Sequence, residues 1–228
     1  DPVLLELLHA LAEADSLDAL FTQLEADQNL LRLDPTVQPT MYHCAIVSLN
    51  ELEQLRSITD VVRLGHIERV EHDQLVLRDG SVAVGEPPLY VDCTTQGLPR
   101  PPSVPVFDGD RITLQSVRGC QQVFSSAFIA HVEAAYGDDA ARNALCEPIP
   151  HPDAPVDWLR IFLSDNHALI RWAQDPELME WLRTSRLNVL RDLFPHMPDK
   201  PRVREKAIGA LTVQLRKTNE RLTELMNG

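Results

Sequence analysis

The sequence predicts an α/β fold, α+β for the chain taken alone, and three observations carry that reading. Short β-rich runs at 61–64, 67–70, 75–77 and 82–84 are separated by Gly65, Asp73 and Asp79-Gly80, as in a small antiparallel meander. The apolar-rich run 89–94 reads as a further strand that stops before Gly97 and a proline-rich loop at 99–105. Beyond Gly137 the apolar residues recur at helical spacing, so the C-terminal region is expected to be mostly helical. Three parts follow: a helical pair with a connecting strand (1–47), a meander, strand and helix (48–137), and a helical region (138–228).

Each element has a local cause. Pro2 suits a first helical turn, and Val3, Leu4, Leu7, Leu8 and Leu11 form a stripe that carries a helix to about Ala14. Asp15 or Ser16 caps a second helix with Leu17, Leu20, Phe21 and Leu24 on one face, ended by Asp27-Gln28-Asn29. A strand is expected at 41–47. Ser48-Leu49-Asn50-Glu51 has the form of a capping box, which places a helix at 49–57. Residues 112–114 read as a strand, and 121–136 as a helix closed by Gly137. Asp157 is placed to cap a helix running to Trp172, and Asp175-Pro176 opens another to about residue 193. In the last helix Ile208, Leu211, Leu215, Leu222 and Leu225 recur by threes and fours with Thr218 in register. That stripe is too short for a sustained coiled coil, so it is expected to pack on its own domain, with homo-oligomerisation as the alternative.

Bulk properties exclude several classes of function. The 228 residues carry 34 acidic and 21 basic side chains, a formal charge of -13 that repels a nucleic-acid backbone. The longest apolar stretches, 3–8 and 123–132, fall far short of the ~20 residues of a membrane span. Cys44, Cys93, Cys120 and Cys146 are too dispersed for a zinc site or a secreted disulfide scaffold, which predicts reduced thiols in a cytoplasmic, soluble protein. A start at Asp1, entering an apolar helix within two residues, is read as a cut in a longer polypeptide.

The run Ile67-Glu68-Arg69-Val70-Glu71-His72-Asp73-Gln74-Leu75-Val76-Leu77-Arg78-Asp79-Gly80, followed by Leu89-Tyr90-Val91-Asp92-Cys93-Thr94-Thr95-Gln96-Gly97, resembles a segment of two-dinucleotide flavoproteins. In that family a meander leads to a strand that re-enters the nucleotide-binding sheet and ends in Ala-Thr-Gly beside the cofactor. Here the ending carries an inserted Gln. Further motifs strengthen the likeness: Pro105-Val106-Phe107-Asp108-Gly109-Asp110-Arg111-Ile112-Thr113-Leu114-Gln115, Cys120-Gln121-Gln122-Val123-Phe124-Ser125, His131-Val132-Glu133-Ala134, Pro150-His151-Pro152-Asp153 and Asp157-Trp158-Leu159-Arg160. Together they are similar to the C-terminal half of bacterial NAD(P)- or FAD-binding oxidoreductase-like proteins, over residues 16–187.

The resemblance implies a partial FAD/NAD(P)-binding fold whose Rossmann loop lies in an N-terminal half of the same protein, the expected partner of this segment. It implies FAD, NAD(P) or both as cofactors of the full-length oxidoreductase and a small-molecule substrate of unassigned identity. Thr94, Thr95, Gly97, Gly109 and Asp110 are the implied cofactor contacts, with no catalytic residue assigned. No two of the nine glycines are separated by a single residue, so this chain has no Gly-x-Gly-x-x-Gly cradle for a pyrophosphate. The isolated chain is therefore expected to be inactive and to bind FAD weakly or not at all.

Structural explanations stand beside the chemical ones. Asp108-Gly109-Asp110 could hold a flavin's sugar-like chain through a carboxylate, but it is also ordinary turn composition. Cys93 is expected to be a small buried hydrophobe rather than a redox thiol, and Cys120 a packing residue. His131, Glu133, His151 and Asp153 lack metal-ligand spacing. Trp158, Trp172 and Trp181 fall at core positions of their helices. The phosphate-binding Gly-x4-Gly-Lys-Ser/Thr loop, the Gly-x-Ser-x-Gly elbow and His-Glu-x-x-His are all absent. From a different class, a non-enzymatic interaction module using the last helix and the acidic surface is the alternative function.

Overall fold

The computed structural model describes residues 10–11, 13–42, 47–85, 88–93, 102–189, 191 and 200–227. The chain mixes helices with two small antiparallel sheets and divides into two units, Val47–Arg100 and the pair of segments Asp1–Ile46 and Pro101–Gly228. Residues 101–137 thus belong with the C-terminal helices rather than with the meander, a different division from the three parts expected. The physical cause is burial: Val106, Phe107, Phe124 and Phe128 share one apolar cluster with Trp172, Leu178 and Leu215.

In the larger unit, α1 (Leu17–Ala26) is capped by Ser16, whose Oγ accepts from the Ala19 amide at 3.2 Å. Its buried Leu20, Phe21 and Leu24 are the predicted face. Residues 10, 11 and 13 are helical, in keeping with a preceding helix that otherwise lies outside the described residues. Of the expected strand at 41–47, residues 41, 42 and 47 are irregular and 43–46 lie outside the described residues; Tyr42 instead stacks on Phe21 with ring centroids 5.1 Å apart.

The smaller unit begins with α2 (Leu49–Arg56). The predicted capping box is formed: Ser48 Oγ accepts from the Glu51 amide at 3.2 Å and the Glu51 carboxylate accepts from the Ser48 amide at 2.7 Å. Then β1 (Ile67–Val70), β2 (Gln74–Leu77) and β3 (Gly80–Ala83) pair antiparallel in the order β1-β2-β3. Residues 61–64 are no strand. Gly65 takes φ 78, where an added Cβ would lie 2.9 Å from the Asp79 carboxylate, and the turn it makes ends any ladder at Leu64. The expected strand at 89–94 is likewise missing over its described part. Residues 89–93 are irregular, with Leu89 90% and Val91 72% exposed, and Cys93 is exposed rather than buried. A strand needs an edge to pair with and a face to cover it, and among the described residues this segment has neither.

The larger unit continues with β4 (Phe107–Asp108) and β5 (Arg111–Ile112), a two-residue hairpin that stops short of the strand expected through 114. α3 (Gln122–Ala135) follows, ended by an extended Tyr136 rather than by a left-handed Gly137. A short helix not anticipated as a separate element, α4 (Asp139–Leu145), is capped by Asp138. α5 (Pro155–Trp172) starts two residues before Asp157, which becomes its third residue and accepts from the Asp153 and Ala154 amides at 2.9 Å each. α6 (Pro176–Thr184) is capped by Asp175 and ends well before residue 193, because the Asn188 side chain takes the Leu182 carbonyl at 2.9 Å. The chain then runs into α7 (Pro201–Asn227).

Two apolar clusters form the interior of this unit, and α5 and α7 contribute to both. Leu215 lies in one, Leu222 and Leu225 in the other, so from Leu215 onward the repeating face of α7 is buried in its own unit as its spacing predicts, while Ile208 and Leu211 are half-buried. Phe124, Phe128, Trp172 and Trp181 pack as an aromatic group with ring centroids 4.5 to 6.3 Å apart, the core role expected for the tryptophans.

Candidate functional site

Of the five implied cofactor contacts, Gly109 and Asp110 are described, whereas Thr94, Thr95 and Gly97 lie outside the described residues. Gly109 and Asp110 form the β4–β5 turn, Gly109 at φ 62 with its amide donating to the Asp139 carboxylate at 2.7 Å. The Gly109 amide is thereby spoken for, and the exposed Asp110 carboxylate is what this turn offers to a ligand hydroxyl.

A second constellation went unnoticed in the sequence. Arg118, only 5% exposed, sits over the rings of Phe124 and Trp172, 5.5 and 5.7 Å from their centroids. Its Nη1 lies 3.5 Å from Asn188 Oδ1. Next to it, the Gly119 amide donates to Asp165 Oδ1 at 2.8 Å. Gly119 has φ 44, and a Cβ there would come within 3.2 Å of Asp165 Oδ2, so both backbone and space call for glycine. Burial pushes the Asp165 carboxyl up to about 6, against the pull of Arg118 and the Gly119 amide. Burial also lowers the Arg118 pKa, with Asp165 opposing it. The arrangement pins the entrance of α3 to α5 and holds a carboxyl able to exchange a proton near neutrality.

The signal for it was legible: Trp158, Phe162, Asp165, Leu169 and Trp172 fall on one stripe of α5, so an acid stands at a core register. Asn166 sits beside that stripe and donates to Asn219 Oδ1 of α7 at 2.9 Å.

His131 and its neighbours Tyr136 and Asp175 brace the fold. Tyr136 donates to Asp175 Oδ2 at 2.6 Å while Asp175 Oδ1 accepts from the Glu177 and Leu178 amides. Burial raises the Tyr136 pKa, and the bond to Asp175 raises it further. For Asp175 burial acts upward too, but the Tyr136 hydroxyl, the two amides and His131 outweigh it and hold the carboxyl low. His131 stacks on Trp181 at 4.4 Å, and burial lowers its pKa against the pull of Asp175. Among the described residues no three His, Cys, Asp or Glu side chains are grouped to hold a metal ion.

Cysteine chemistry departs from expectation at one position. Cys93 and Cys146 are free thiols, the latter buried and pushed up to about 12, whereas Cys120 is disulfide-bonded. Uniformly reduced thiols are therefore not what the structure has, because wide spacing in sequence does not prevent two cysteines from meeting in the fold.

Two openings flank α7. A groove of about 660 Å³ between α6 and α7 is lined by Met179, Leu182, Ile208 and Val213 together with Arg183, Arg204, Arg216, Glu180 and Glu205. A more open cleft of about 630 Å³ between α5 and α7 is lined by His167, Asn219 and Glu220 and shares Arg216. Among the described residues, no helix is long and apolar enough to cross a membrane.

The chain is 52% identical over 220 residues to proteins of Mycobacterium bovis and of two strains of Mycobacterium tuberculosis, each described only as an uncharacterized protein. The match takes in 96% of this chain and 41% of each relative, so the chain spans about two fifths of the length of these curated relatives. No family model and no solved structure matches.

Proposed function

We propose that the chain is the C-terminal part of a flavin- or nicotinamide-dependent oxidoreductase, in which Val47–Arg100 completes the cofactor-binding domain and the helical unit covers the substrate side. The observation that carries this reading is the uncovered apolar surface of the meander unit. Ile67 and Val70 on β1, and Leu89 and Val91 after the sheet, are each more than half exposed. Leu52 and Leu77 are the buried apolar residues among those described in the unit. A soluble domain does not leave such a surface in water without a use, and a sheet with apolar residues bare is a sheet suited to be covered. The greater length of the mycobacterial relatives is consistent with further polypeptide to do so.

The residues fit such a cofactor only in part. Asp110 can accept from a hydroxyl of the flavin's sugar-like chain, while the phosphates must be held by residues outside this chain, which has no glycine-rich cradle. FAD or NAD(P) would supply the hydride chemistry when bound; the role of this chain is to place sheet and cover beside it.

The test is a polypeptide of the relatives' full length, assayed for flavin absorbance and for dye-coupled oxidation of NADH and NADPH. Bound nucleotide is expected there, and its complete absence would defeat the reading. Calorimetry on the 228-residue chain is expected to show weak FAD binding or none; tight stoichiometric binding would contradict it.

A further inference from the structure

The geometry points to the groove between α6 and α7 as a binding site for a medium-chain aliphatic carboxylate, its chain along Met179, Leu182, Ile208 and Val213 and its anion on Arg216. This goes beyond the proposed role of the meander unit and does not rest on it.

The size is that of a small-molecule site rather than of a packing defect, at about 660 Å³. Met179, Leu182, Ile208 and Val213 give the groove an aliphatic stretch, which suits a flexible hydrocarbon better than a stacked ring, beside polar lining from Gln174, Thr212, Glu180 and Glu205. Gly209 supplies an independent observation. It lies inside α7, where glycine weakens a helix relative to alanine, yet it takes no left-handed φ and an added Cβ would meet nothing within 4 Å. Neither backbone conformation nor packing within the described chain asks for glycine there. Gly209 is exposed and lines the groove, so its missing side chain leaves that stretch of the lining open.

Charge sets the sign of the ligand. The protein carries -13 overall, but the groove is lined by Arg183, Arg204 and Arg216 against Glu180 and Glu205, a local excess of one positive charge. Of these three guanidinium groups, Arg183 is bonded to Glu180 and Arg204 also acts on Glu180. Arg216 makes no ion pair or hydrogen bond among the described residues, and a planar fork of donors matches a carboxylate. From Gly209 to Arg216 the helix rises roughly 10 Å at about 1.5 Å per residue, the length of a medium-chain acyl group.

Isothermal calorimetry of the 228-residue chain with octanoate, against 1-octanol, tests the assignment. Saturable one-to-one binding of octanoate is expected, with 1-octanol weaker by about ten-fold because it cannot use the guanidinium charge. Gly209→Leu should abolish octanoate binding while the melting temperature stays level or rises, since leucine is the better helix former. Arg216→Gln should bring octanoate down to the affinity of 1-octanol. Undiminished octanoate binding by Gly209→Leu, equal binding of acid and alcohol, or no saturable binding at all overturns the assignment. Should Gly209→Leu lose helicity, the exposed Arg216→Gln variant decides the matter by itself.

Discussion

Asp165 shows how one side chain can be given a pH response by its surroundings. Burial raises its carboxyl to about 6, above the ordinary range, although Arg118 and the Gly119 amide both favour the anion. A folded-state pKa above the unfolded value means that the native state holds the proton more tightly between about pH 4 and 6. Its contribution to stability is therefore present in full below pH 4, falls as the pH rises to 6 and is level above, a loss of up to about 3 kcal/mol. Asp165→Asn keeps an oxygen for the Gly119 amide but cannot titrate. The difference in unfolding free energy between wild type and Asp165→Asn, followed by urea denaturation, should shift against the wild type over that interval; a difference that does not change with pH would remove the carboxyl from this role.

Among the elements, α6 depends on its cap and α7 on its buried face. Asp175 is both the cap of α6 and the acceptor of the Tyr136 hydroxyl, so Asp175→Ala should cost about 1–2 kcal/mol, more than an isolated cap, in chemical denaturation. Ser48→Ala removes the reciprocal cap of α2 and should cost about 1 kcal/mol, confined to the stability of the smaller unit. In α7, Leu215 is 5% exposed within the core, so Leu215→Asp is expected to unfold the larger unit rather than to report on assembly. Loss of cooperative unfolding by circular dichroism would show this, and a folded Leu215→Asp protein would mean that the face of α7 is not needed inside.

At the scale of the whole molecule, the two units differ in how much core they own. The larger holds two apolar clusters, whereas the described part of Val47–Arg100 buries Leu52 and Leu77 and leaves much of its apolar surface in water. Amide exchange in β1–β3 of the isolated chain should accordingly be fast compared with α3 and α5, because local opening there exposes little that was buried. In a polypeptide of the relatives' length the same amides should become protected. Equal exchange in the two proteins would mean that nothing covers the sheet.

Much of the secondary structure was written locally. Ser16, the Ser48-Glu51 box, Asp175-Pro176 and the three- and four-residue recurrence in α7 each act within a turn or two of themselves, and they placed α1, α2, α7 and the start of α6 where the structure has them. The Asp-Gly-Asp turn and the three meander strands were legible for the same reason. Tertiary contacts decided the rest. Apolar residues at 89–93 do not make a strand without an edge to join, α6 stops where Asn188 folds back onto Leu182, and Cys120 found a partner that spacing did not suggest. Arg118 and Asp165 lie 47 positions apart and meet because α5 packs against the entrance of α3. Local sequence settles which turns can form; whether a charge, a thiol or an apolar run is covered depends on segments distant in the chain, and only the folded molecule brings those together.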